Sequence, residues 1–156
     1  MTASDNTLPV LTFYIDDQCY GLAIDRVIEV ASMVTVISTP SEDPAVIGVV
    51  NRHGEILPML DLRQIFSNSE PTPIDSTMLF IVGQVNDRRV GLIVDSIRQV
   101  EYLSKRKMTL SSSAGNYIHG IISYNDVLIQ LITLEPLFAQ YITSVVMDDE
   151  SIQGRS

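Results

Sequence analysis

The chain has 156 residues, 46% of them hydrophobic, and a formal net charge of −9, enough apolar material for one core-bearing domain or two small ones packed together. Its acidity disfavours nucleic acid, whose binders need a basic surface to displace counterions, and the single cysteine, Cys19, excludes an internal disulfide or a thiolate metal cluster. Apolar runs fall far short of the roughly 20 residues of a membrane helix, and Met1 to Asn6 has neither a basic flank nor an apolar signal core, so a cytoplasmic protein is expected.

Residues 10–16 are largely apolar and end in Asp16-Asp17; with Tyr20 to Ile24 they predict a hairpin. After Asp25, the apolar positions Val27, Ile28, Val30 and Ala31 are spaced too closely to separate a helical turn from a strand. Val34 to Ile37 is β-branched and predicts a strand, ended by the turn-rich segment Ser38 to Pro44. Ile47 to Val50 and Glu55 to Leu60 predict a second hairpin around Asn51-Arg52-His53-Gly54, where Gly54 can take a positive φ. Pro58 has no N–H, which places its strand at an edge or at a bulge. Asp61 is the expected N-cap of a short helix through Phe66, and Thr133 that of a C-terminal helix from Leu134. Ser67 to Thr77 and Ser104 to Asn116 read as loops, the latter carrying Lys105-Arg106-Lys107 as a solvated basic cluster.

The second half of the chain repeats the first. Setting Gly48 on Gly120 superimposes Ile56-Leu57, Met59-Leu60, Leu62 and Ile65-Phe66 on Leu128-Ile129, Leu131-Ile132, Leu134 and Leu137-Phe138 without a gap, an offset of 120 − 48 = 72. Tyr20 to Val27 matches Val90 to Ile97 at an offset of 91 − 21 = 70, from Gly21 to Gly91. A unit of about 70 residues has been used twice. Short strands with glycine-marked turns then predict a mainly β protein of two small SH3-like β-barrel subdomains packed together, with short helices and a C-terminal helix. The expected layout is a flexible N-terminus at 1–9, one domain over 10–146 made of pseudo-repeats 10–70 and 77–146 that either stay separate or exchange strands, and a disordered tail at 147–156.

Chemistry is scarce. His53 and His119 stand without metal-ligand spacing, and no glycine-rich phosphate cradle follows a strand. Asp25 and Asp95 are equivalent across the repeat, but each follows a strand where a short carboxylate starts a turn, a better account than a catalytic pair. Neither cofactor nor metal is expected, and nothing supports an enzyme.

The stretch Val49 to Arg63 resembles the signature of the CheW family, adaptors that couple bacterial chemoreceptors to the histidine kinase CheA. The family pattern is met at Gly48, Asn51, Gly54, Pro58, Asp61, Leu62 and Arg63, and two more blocks match at Tyr20-Gly21 with Ile24 and at Gly91 to Asp95. The resemblance spans residues 10 to 140. It implies a scaffold without an active site: two barrels with a hydrophobic groove for the cytoplasmic tip of a receptor's helical hairpin, and barrel surfaces that dock the kinase's regulatory domain. Partner contact is implied at Val27, Glu29, His53, Met78, Ile97 and Val100; the repeat adds Val30, the counterpart of Val100. Gly48, Asn51, Gly54, Pro58, Asp61, Gly91, Asp95 and Gly120 are expected to shape the frame. Two departures stand out: in the turn, His53 replaces the family's Arg before the glycine and Arg52 the preceding Leu, making Arg52 a candidate substitute, and Thr133 stands where the family often has Asp, a change a Thr cap accommodates. The implied function is a non-enzymatic chemosensory adaptor without nucleic acid or membrane insertion. The alternatives are a paralogue serving a separate system, such as pili or surface behaviour, and a small-ligand- or nucleic-acid-binding double barrel.

Overall fold

The computed structural model describes residues 6–67, 69–110 and 117–142. Among them the strands are β1 (Thr7–Ile15), β2 (Gln18–Ala23), β3 (Val27–Ser32), β4 (Val46–Arg52), β5 (Glu55–Asp61), β6 (Leu79–Val85), β7 (Arg88–Ile93), β8 (Ser96–Ser104), β9 (Met108–Leu110), β10 (Ile118–Tyr124) and β11 (Val127–Ile132). Two one-turn helices follow the second hairpin of each half: α1 (Arg63–Phe66) and α2 (Leu134–Leu137), the latter continuing as a π-helical turn over Phe138–Ile142. β1 already begins at Thr7, upstream of the expected boundary at residue 10. The expected tail at 147–156 lies outside the described residues.

Four hairpins close through two-residue loops, and the first loop residue is left-handed in each: Asp16 (φ 56°), His53 (53°), Asn86 (56°) and Asn125 (50°). Asp, Asn and His tolerate this region better than other side chains, and such loops match the twist of the strands they join. Gly54 follows at φ 79°, while Asp126 takes the same place in the second copy at 64°.

The two copies exchange hairpins. One sheet runs β3-β6-β7-β5-β4 and the other β8-β1-β2-β11-β10-β9. Each therefore takes its first hairpin from the opposite half of the chain. Replacing every strand of the first order by its repeat counterpart gives β8-β1-β2-β11-β10, the second order without its edge strand β9. The registers agree as well: Met59 faces Gly91 across one parallel seam, and its counterpart Leu131 faces Gly21 across the other. Both glycines are required by close approach, since a Cβ on Gly91 would lie 2.3 Å from Met59 Sδ and one on Gly21 2.3 Å from Val10 Cγ1.

Between the sheets lies a shared core that includes Leu11, Phe13 and Leu22 from one sheet and Leu60, Ile81 and Leu92 from the other, closed by Leu134, Leu137, Phe138 and Ile142. Each sheet also has a core of its own, around Val50, Met59 and Phe80 in the five-stranded sheet and around Val10, Leu103 and Ile129 in the six-stranded one. Cys19 is buried in the latter, and burial pushes its thiol up from its ordinary value, as befits a packing residue.

Several expectations change. Val34 to Ile37 is not a strand; only Ile37 pairs, exchanging two bonds with Val49 at 2.8 and 2.9 Å. Gly48 makes this crossing possible: its φ is 145°, and a Cβ there would lie 2.1 Å from the Ile37 carbonyl oxygen. Pro58 is buried on β5, an interior strand, but the parallel ladder to β7 starts only at Met59, so β5 is open on that side at the proline. In the other sheet the counterpart Gln130 pairs with Tyr20. Thr133 stands at the N-cap of α2, yet its side chain makes no capping bond.

Candidate partner-binding site

β-bulges set the geometry of the site. In β3 the register to β6 shifts between Val27 and Glu29, and in β8 the register to β1 shifts at the corresponding place. The extra residue brings positions three apart onto one face, so Val27 and Val30 share a face, as do Ile97 and Val100. Residues paired across neighbouring strands point to the same side. Val30 pairs with Ile81 and Val100 with Leu11, and both of those belong to the shared core. Val27 and Ile97 pack half-buried against that core, while Val30 and Val100 remain 39% and 38% exposed. The four residues thus lie on the faces that the two sheets turn toward each other, with the shared core as floor. Thr12 supports the bulge in β8, donating its hydroxyl to the Gln99 carbonyl at 2.7 Å.

Glu29 and Arg52 are brought together. Arg52 donates from Nε to Glu29 Oε2 at 3.1 Å and lies with Nη2 2.7 Å from Oε1, a two-pronged contact between the outermost strands of the five-stranded sheet. The guanidinium holds the Glu29 carboxyl below its ordinary value. Arg52 therefore engages Glu29. His53 is exposed at the turn next to it. Glu101 on β8 pushes the phenol of Tyr124, the repeat counterpart of Arg52, up from its ordinary value. Met78 sits apart from the groove, half-buried against the core of the five-stranded sheet, with its carbonyl accepting from the Met33 amide at 3.0 Å.

The framework residues divide into two groups. A Cβ on Gly48 would meet backbone, whereas on Gly91 and Gly120 it would meet first a methionine side chain, Met59 at 2.3 Å and Met108 at 2.8 Å. Gly54 completes the turn, and Asn51 is exposed on β4. Asp61 was the expected N-cap of α1, but that place falls to Leu62 without a side-chain capping bond, and Asp61, one residue earlier, instead holds Arg63. Its Oδ1 accepts from the Arg63 amide at 3.0 Å, and the carboxylate holds the Arg63 guanidinium at 2.9 and 3.0 Å, both side chains being 2% exposed. The Asp-Leu-Arg spacing was visible in the sequence; that the Arg is buried was not. Asp95 accepts from the Asp16 amide at 2.6 Å, tying the turn of the six-stranded sheet to the end of β7. Its counterpart Asp25 lies exposed in a 3-10 turn without a side-chain hydrogen bond among the described residues.

A cavity of about 520 Å³ lies elsewhere, between residues 33–38 and 74–76, and none of the expected partner residues lines it. No group of three or more His, Cys, Asp or Glu among the described residues is placed to hold a metal, and no helix among them is long and apolar enough to cross a membrane.

Two interleaved sheets around a shared core carry half-buried or exposed apolar residues on their inward-turned faces. The CheW-like domain model matches residues 9–141, and the chain belongs to that family. It is 24% identical over 147 residues to the chemotaxis protein CheW of Treponema pallidum, covering 89% of this chain and 86% of that one. It is 28% identical over 138 residues to a probable chemotaxis protein CheW of Rhizobium etli, covering 84% and 87%. In fold it is similar to the crystal structure of the scaffolding protein TtCheW from Thermoanaerobacter tengcongensis, with a TM-score of 0.77, 24% identity, and 84% and 92% of the two chains covered. The chain is a chemosensory adaptor of the CheW type and not an enzyme.

Proposed function

We propose that this adaptor acts in the cytoplasm and joins the tip of a chemoreceptor to the regulatory domain of a CheA-type histidine kinase. The receptor's helical hairpin lies in the trough walled by Val27 and Val30 on one sheet and Ile97 and Val100 on the other. The kinase domain docks on the β3–β4 end of the five-stranded sheet, at His53 and Met78 with the Glu29–Arg52 pair. One observation carries the reading: repeat-equivalent bulges put two apolar residues of each sheet on the inward-turned faces, half-buried or exposed, with no strand of the described residues over them. An amphipathic helix presents anchors at i, i+3 and i+4, which such a trough accepts.

The test is direct binding of the purified chain to the kinase regulatory domain and to receptor cytoplasmic fragments from its own organism. Binding to both is expected; binding to neither overturns the proposal. His53 in place of Arg favours a partner set of its own, because imidazole lacks the permanent charge and planar fork of a guanidinium. An unchanged preference among kinases after His53→Arg would remove that reading.

A further inference from the structure

The two sheets end in equivalent mouths that carry different chemistry. The cavity of about 520 Å³ at residues 33–38 and 74–76 opens at one end of the five-stranded sheet, and a second of about 450 Å³ opens at the matching end of the six-stranded one, where β1 begins and β2 and β11 end. Val36 and Ile47 line the first; their counterparts at the offset of 72, Met108 and His119, line the second. The offset itself changes beside the mouth. Met33 matches Leu103 (103 − 33 = 70) and Val36 matches Met108 (108 − 36 = 72), because Ser104 to Lys107 stand in the second copy where the first has only Val34 and Thr35. That insertion brings in the basic turn, whose Lys105 lines the cavity.

The six-stranded mouth has an apolar floor and a charged rim. Leu131 and Leu134 are buried in its floor, with Leu8 and Met108 half-buried beside them. At the rim Arg26 and Glu135 satisfy each other. Lys105, His119 and Asp25 are exposed there, and none makes a side-chain hydrogen bond or ion pair among the described residues. The unpaired groups are thus one ammonium and one carboxylate, with an imidazole able to donate a hydrogen bond beside them. The fold does not need these charges, since the equivalent mouth has Ile47 in place of His119 and Val34 and Thr35 in place of the basic turn.

We infer that this mouth binds a small zwitterion with an apolar body, a free aliphatic amino acid or a short apolar peptide. The carboxylate pairs with Lys105 and His119, the ammonium with Asp25, and the hydrocarbon covers Leu131 and Leu134. A plain anion leaves Asp25 facing a like charge and a plain cation does the same to Lys105, whereas a molecule carrying both answers each and buries its body on the floor. The volume is that of a small-molecule site, and the mouth of a β-barrel is a usual place for one. None of the residues proposed to meet receptor or kinase lines this cavity, so the ligand site is separate from both.

The experiment is calorimetric titration of the purified chain with L-leucine and the dipeptide Leu-Leu, the two sources of this chemistry, and with hexanoate and hexylamine, which carry one charge each. At least one zwitterion is expected to bind with a Kd of about 1 mM or tighter, and about tenfold more tightly than either single-charge probe. Which of the two binds tells a free amino acid from a peptide. Lys105→Ala and Asp25→Asn, both at exposed side chains without partners, are each expected to weaken that zwitterion about tenfold, and Lys107→Ala, outside the cavity lining, to leave it within about twofold. No binding of either zwitterion up to about 10 mM, or equal binding of hexanoate, overturns the inference. So does an affinity that Lys105→Ala and Asp25→Asn both leave unchanged.

Discussion

The five-stranded and six-stranded sheets are the same device built twice, with equivalent strands in equivalent order, equivalent bulges and equivalent loop conformations, but they are fastened differently. In the five-stranded sheet, charge does the fastening: Asp61 grips a buried Arg63, and Arg52 grips Glu29. At the counterpart positions the six-stranded sheet has Thr133, Glu135 and Tyr124; Glu135 is exposed and turned to Arg26, and Tyr124 is half-buried. Backbone geometry is thus shared where the fold needs it, and side-chain chemistry has diverged where more than one solution closes a sheet. The signature turn lies on the charged sheet, directly beside the Glu29–Arg52 pair.

The exchange of hairpins ties the two sheets together, and separating them has the largest expected effect. Residues 1–76 and 77–156 produced as separate fragments each lack two strands from the middle of a sheet, so neither is expected to give a cooperative melting transition alone, while the mixture is. Independent folding of either fragment, seen by circular dichroism and calorimetry, would break the comparison at its root. Next in size is the buried pair. Asp61→Ala leaves the buried Arg63 guanidinium with only Thr72 at 3.3 Å and the more distant Asp95 at 3.9 Å and is expected to cost about 3 kcal/mol, whereas Thr133→Ala, which removes no capping bond, costs about 0.5 kcal/mol or less. The glycines come third. In Gly48→Ala the new Cβ meets a backbone carbonyl at a positive φ, a loss of about 3 kcal/mol; in Gly120→Ala it meets mainly the flexible Met108 side chain, a loss of about 1 kcal/mol. Denaturant titration of the four variants checks both contrasts.

The smallest effect is a pH dependence confined to the charged sheet. Glu29 titrates below its ordinary 4.5 because Arg52 bonds its ionised form. A depressed carboxyl pKa gives stability that is fully present above the unfolded value and lost as pH falls through the folded one. The melting temperatures of wild type and Arg52→Leu are therefore expected to differ by a constant amount near neutrality and to converge below pH 4.5. A gap that persists in acid would mean that Arg52 acts by packing alone.

Much of this was legible in the residues. The repeat gave the unit of strands, tight turn and short helix, and the matching glycines marked the parallel seams. Strand exchange was not legible, because a repeat in sequence does not say which copy of a hairpin completes which sheet; only the pairing of β1 with β8 and of β3 with β6 decides it. β3 escaped assignment for a definite reason: its bulge puts Val27 and Val30 on one face, so the strand carries a helix-like spacing of three. The same feature sets Val27 and Val30 on the inward-turned face, and the local pattern failed where the proposed site begins. Val34 to Ile37 failed the other way, since β-branched propensity offers a strand but only Ile37 finds a neighbour. Glu29 and Arg52 were each legible as candidates, but not as each other's partner, because 23 residues separate them in the chain.

The central claim is that the two sheets jointly form one binding trough. It is tested most directly by measuring receptor-fragment and kinase-domain affinity for Val30→Asp, Val100→Asp and the double variant, placing one charge on each wall. Each single change is expected to weaken the receptor fragment about tenfold or more, with kinase binding held within about threefold. Receptor affinity untouched by the double variant, in a protein that still folds and binds the kinase, would contradict the account.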